Sequence, residues 1–155
     1  MDQRFYLGCA VWAYKDWIGD LFPAGSKAAD LLALYSRRLT TVEGNTTFYA
    51  TPKPEVVRRW AAETPESFRF CFKLPREISH EGPLAAQVET TRAFVERMAP
   101  LGGRLGPFFL QLPPAYRADA GIPGALILSL GRPTIGIFGR RTLAGIICWH
   151  SCAPL

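Results

Sequence analysis

Between Phe5 and Leu112 this chain alternates four strand-like runs with three helix-like ones, joined by short connections, and no feature restricts its fold more. FYLGC, Phe5 to Cys9, is a short apolar run closed by loop residues. Ala28 to Leu39 sets Leu31, Leu34, Tyr35 and Arg38 at helical spacing. TVEGN, Thr41 to Asn45, reads as a strand with a polar end. Pro54 suits a first helical position, and Val56, Val57, Trp60 and Ala61 supply that helix with an apolar face. FRFCFK, Phe68 to Lys73, carries aromatics at period two and is the clearest strand signal in the chain. A longer helix from Leu84 to Ala99 is expected to bury Val88, Thr91, Phe94, Val95 and Met98, and LGPFFLQL, Leu105 to Leu112, reads as the fourth strand. An order of strand, helix, strand with short links demands a parallel sheet with right-handed crossovers, hence an α/β architecture.

Length bounds how much of such a fold is present. The 155 residues make one domain, which buries about 70% of its unfolded surface. They fall short of a complete eight-stranded (β/α) barrel, which needs roughly 200 residues or more. Hydrophobic residues at 48% against 20% charged exclude a disordered chain. The net charge of +5 admits anionic partners, although the basic residues are dispersed apart from Arg37-Arg38, Arg58-Arg59 and Arg140-Arg141, as on ordinary solvated helix faces.

The start MDQRFYLGCAVW lacks the parts of a signal peptide, and no long uncharged apolar stretch precedes the last third. The expected compartment is therefore cytoplasmic, with no membrane partner. Cys9, Cys71, Cys148 and Cys152 have no framework spacing and are expected as thiols.

Composition changes near Ala118. Residues 1–118 hold 15 basic and 12 acidic residues, whereas 119–155 hold only Arg132, Arg140, Arg141 and Asp119, with six of the 14 glycines. We therefore divide the chain into an α/β portion, 1–118, and an apolar, glycine-rich tail, 119–155.

Ligands of parallel α/β folds approach the carboxyl ends of the strands, where loops converge. The residues at those ends form a short set. Trp12 and Tyr14 follow the first strand. Glu43 and Asn45 end the second, before Thr47, Phe48 and Tyr49. Lys73 ends the third, its loop carrying Arg76, Glu77 and His80, and Gln111 ends the fourth. A carboxylate, an amine, an imidazole and two amides among aromatic rings suit acid/base work or the holding of a polyhydroxylated or phosphorylated ligand. Each has a plainer reading: Glu43 with Lys73 as an ion pair, His80 as a surface residue, the aromatics as packing, Asn45 and Gln111 as loop anchors. CWHSC, Cys148 to Cys152, lacks the spacing of a structural zinc site, and no metal site is assigned. No phosphate-cradling or dinucleotide-binding glycine motif is present, and the cofactor is left unassigned.

TVEGNTTFYATPKPEVVRRW, FRFCFKLPREISH and LGPFFLQLPP closely resemble the YecE-like family, domain of unknown function 72, from about Phe5 to Ala118. The resemblance implies a TIM-type (β/α) barrel of about 240 to 280 residues, so this chain is expected to form a partial barrel of about four βα units with an atypical tail. It also implies that Trp12, Tyr14, Glu43, Asn45, Thr47, Tyr49, Lys73, His80 and Gln111 occupy motif positions at the barrel mouth. Cys9, Ala10 and Val11 stand where the family has glycine and hydroxyl residues. Beyond Gly121 a family member would continue to a strand with a Glu- and Arg-rich tip, and no such tip fits here. The tail is therefore expected to be an out-of-frame or truncated continuation, the competing reading being short strands at 125–130, 134–138 and 143–149. A truncated barrel would leave the fourth strand's edge open to self-association unless the tail covers it.

Three functions compete at this stage. One is an enzyme-derived barrel acting on a phosphorylated sugar or nucleotide-type ligand, with Glu43 as base or metal ligand, Lys73 as anion contact and His80 as proton shuttle. The second is a nucleic-acid-binding module that stacks bases on the aromatics near Trp12 and Tyr49. The third is an inactive fragment.

Overall fold

The computed structural model describes residues 5–113 in full and the backbone of two further strands, 135–137 and 146–150. Four parallel strands, β1 (Phe5–Cys9), β2 (Thr41–Gly44), β3 (Arg69–Lys73) and β4 (Leu105–Leu110), lie side by side in chain order. Helices α1 (Leu31–Ser36), α2 (Pro54–Glu63), α3 (Arg76–His80) and α4 (Val88–Met98) fill the connections. This is the α/β architecture expected from the alternation: four parallel strands and the three helical connections between them.

Side-chain alternation divides the sheet into two faces. On the helix side, Phe70 and Phe72 stack on each other at 5.7 Å and 3°, and Trp60 of α2 stacks on both at 21°. Pro54 opens α2, where its missing N–H costs nothing, and Val57 and Trp60 are its buried residues. Phe94 of α4 meets Phe108 of β4 edge-on at 5.7 Å. Tyr35 of α1 ties the first two strands together. Its phenolic oxygen accepts a hydrogen bond from the Cys9 N–H at 2.6 Å and donates one to the Thr41 carbonyl at 3.0 Å. The opposite face carries Thr41, Glu43, Arg69, Cys71, Lys73 and Phe109, and is where polar groups gather.

Several boundaries differ from those read in the sequence. The helix expected over 28–39 begins with a 3₁₀ turn, Ala28–Asp30, and ends at Ser36, leaving Arg38 exposed. The fourth strand stops at Leu110 rather than Leu112. Val88 and Val95 are only half-buried, while Thr91, Phe94 and Met98 are buried. The segment after β3, read as a loop, is the five-residue helix α3, whose first backbone bonds run from the Ile78 and Ser79 N–H groups to the Pro75 carbonyl. One and a half turns are too few for a hydrophobic period to show.

Two strands lie in the tail. β5 (Ile135–Ile137) runs parallel to β4, and β6 (Ile146–His150) runs antiparallel to β1, giving the order β5-β4-β3-β2-β1-β6. They fall within or beside the segments 134–138 and 143–149 of the competing reading, and the β4 edge that the sequence left open is paired. The expected strand at 125–130, the out-of-frame reading of the tail and the side chains of CWHSC lie outside the described residues. No helix among the described residues is long and apolar enough to cross a membrane.

Candidate functional site at the strand tips

The ends of β2, β3 and β4 are held together by one side-chain hydroxyl and one backbone bond. After Gly44 the chain enters a 3₁₀ turn, Asn45–Phe48. The buried Thr47 hydroxyl sits 2.6 Å from both the Gly44 and the Lys73 carbonyl oxygens, pinning this turn to the tip of β3. The Leu74 N–H donates to the Phe109 carbonyl at 2.9 Å, which fixes β4 beside it. Asn45 reaches the other way, its amide donating to the Ala10 carbonyl at 3.4 Å.

These tips border an open cavity of about 320 Å³ lined by Glu43, Asn45, Phe48, Tyr49, Lys73, Phe109 and Gln111. Glu43 is only 5% exposed. Burial raises its carboxyl above the ordinary range, against the smaller opposing effects of the Lys73 charge and a hydrogen bond from Asn45. Burial likewise lowers the Lys73 amine, with Glu43 acting against the shift. No ion pair within 4.0 Å joins the two among the described residues, so the plain ion-pair reading does not describe their geometry. The Lys73 ammonium lies instead over the Phe48 ring, 3.9 Å from its centroid. A carboxyl shifted up and an amine shifted down thus face one cavity, and shifts of this kind cluster at functional sites.

The structure thus brings together Glu43, Asn45, Tyr49, Lys73 and Gln111 of the expected set. Thr47 stands behind them as an anchor. His80 does not line the cavity. It meets Phe48 edge-on at 5.1 Å, its Nδ1 is 2.7 Å from the Ser79 hydroxyl, and partial burial with the nearby Arg76 and Lys73 charges lowers its pKa. Trp12 packs edge-on against Trp60 at 5.5 Å. Tyr14 does the same against Trp17, and a hydrogen bond to Asp16 raises its pKa.

Two residues of this region carry no signal in the order of elements alone. Phe109 pairs in register with Lys73 and walls the cavity, and alternation from Gln111 would have placed it on that face. Cys71 pairs with Glu43 on β2, and burial followed by the Glu43 charge pushes its thiol up to about 12.

Fold and site together define a (β/α) half-barrel with a polar cavity at its strand tips. The chain belongs to the family described as "Protein of unknown function DUF72", which matches residues 6–126, past the compositional change near Ala118. It is 41% identical over 111 residues to the UPF0759 protein YecE of Escherichia coli K12, covering 72% of this chain and 38% of that protein. It is 27% identical over 117 residues to the UPF0759 protein YunF of Bacillus subtilis 168, covering 72% and 40%. A DUF72 family crystal structure from Thermotoga maritima MSB8 superposes with a TM-score of 0.67 at 21% identity, over 86% of this chain and 54% of that one. One from Enterococcus faecalis V583 gives 0.60 at 30% identity, over 68% and 42%. The chain therefore spans about two fifths of the length of the curated relatives it matches.

Proposed function

We propose that the strand-tip cavity binds a phosphorylated sugar, with Lys73 contacting the phosphate, Asn45 and Gln111 hydrogen-bonding hydroxyl groups, and Glu43 transferring a proton. One observation carries this reading: a buried carboxyl and an amine face the same cavity without pairing within 4.0 Å, so each keeps bonding capacity for a ligand. The volume of about 320 Å³ lies at the small end of ligand cavities, which start at about 300 Å³. Ammonium binds phosphate as a point charge, and a carboxyl beside the bound ligand whose pKa burial raises suits proton transfer. His80 is left out of the reacting set because it does not line the cavity and packs against Phe48, one of the cavity's walls.

Titration calorimetry with glucose 6-phosphate and with glucose tests this. The phosphate ester is expected to bind, and Lys73→Ala to weaken it by about tenfold, the loss of one charge-assisted contact. Failure of the ester to bind, or an affinity indifferent to Lys73→Ala, overturns the reading.

A further inference from the structure

A second cavity, of about 420 Å³, adjoins the first, and Phe48 and Tyr49 line both. Beyond that shared pair it is bounded by Thr51, Pro75, Arg76, Glu77 and Glu81 among others. Tyr49 is 83% exposed, yet its ring is braced edge-on by Phe48 at 5.1 Å and 89°. A braced, exposed ring on the rim of two hollows offers an apolar platform to the apolar face of a ligand ring.

Charge decides which group. Arg76 is already bonded to Glu81 at 3.2 Å, and Glu77 adds a further carboxylate, so the second cavity carries more acid than base. A second phosphate there would meet like charge. Hydroxyl groups would meet acceptors, since ionised carboxylates only accept hydrogen bonds. The C–H face of a pyranose packs on an aromatic ring while its hydroxyls point outward to such acceptors.

We infer that the second cavity is a subsite for a neutral sugar ring, so that the ligand is a phosphorylated glycoside of at least two rings, straddling Tyr49 with its phosphate at Lys73. This rests on the reading of the first cavity as a sugar-phosphate site. It separates the ligand from an oligonucleotide, whose phosphates recur at every unit and would bring one toward Glu77 and Glu81.

The test compares the affinities of glucose 6-phosphate and maltose 6′-phosphate by titration calorimetry. Their ratio is expected to favour the disaccharide by about tenfold in the unmodified chain, the worth of one stacked and hydrogen-bonded ring. It should fall to near one in Tyr49→Ala and persist in Tyr49→Phe. A ratio near one in the unmodified chain, or one that survives Tyr49→Ala, overturns the second subsite while leaving the first cavity standing. Binding of neither phosphate removes both. A single-stranded oligonucleotide that binds more tightly than the disaccharide phosphate also overturns it.

Discussion

Lys73 holds its ammonium 3.9 Å from the centroid of the Phe48 ring, above its face, instead of closing on Glu43. The contact joins the last residue of β3 to the end of the turn that follows β2, and the Thr47 hydroxyl bond to the Lys73 carbonyl secures the same junction. It keeps the amine beside the cavity and apart from the carboxylate.

Removing the ring should therefore be felt by the lysine. A double-mutant cycle of Phe48→Leu and Lys73→Met, followed by chemical denaturation, is expected to show a coupling of about 0.5–1 kcal/mol, as for a partly exposed cation over an aromatic face. Additive effects would mean that the contact contributes nothing.

Glu43 makes stability depend on pH in an uncommon direction for a carboxylate. Its folded pKa is raised above the ordinary 4.5, so the folded state keeps a proton that the unfolded chain gives up. Stability then falls as pH rises from 4.5 through the folded pKa, and the penalty is complete above it. Glu43→Gln should raise the melting temperature at neutral pH and converge on the unmodified chain below pH 4.5. An unchanged or lower melting temperature at neutral pH would contradict this.

Cys71 is 7% exposed, and its thiol is pushed up to about 12, so very little thiolate exists near neutrality. Cys9 is half-buried. Alkylation of the folded protein followed by peptide mapping should label Cys9 well before Cys71, which reacts only once denaturant is added. Equal rates in the native state would show that the β2–β3 face is open to reagent.

Two strand glycines sit where a methyl group has no room. A Cβ on Gly8 would overlap the Thr41 carbonyl, which is backbone and cannot step aside without parting β1 from β2. A Cβ on Gly44 would lie 2.5 Å from Cδ1 of Phe72, a side chain packed among its stacked neighbours. Gly44→Ala is expected to cost about 1–3 kcal/mol. Gly8→Ala should cost more and deplete the soluble folded protein, as read by expression yield and urea unfolding. The reverse order would place the tighter constraint at the strand tip.

Legibility in the sequence varied with the length over which a signal is averaged. β1 and β3 were readable because an apolar run or an alternation spans the whole element, and α2 because Pro54, Val57 and Trp60 mark its start and its buried face. α3 was hidden by its five residues. His80 follows Lys73 by only seven positions, which in sequence sets it beside the same strand tip, yet α3 sets its ring against Phe48 and outside the cavity lining. Trp12 reads in the sequence as a candidate stacking residue, whereas Trp60, 48 positions away in the chain, engages it edge-on.

By itself the sequence determined a parallel α/β order and placed Glu43, Asn45, Lys73 and Gln111 at strand ends, because strand alternation and the direction of a parallel sheet are local properties of the chain. Only the tertiary structure decided that Glu43 and Lys73 stand apart, that Phe48 and Tyr49 serve two cavities, and that the tail pairs with both β1 and β4. Those outcomes depend on the register between strands and on which ring fills the space beside a charge, and such contacts join residues that no local pattern connects.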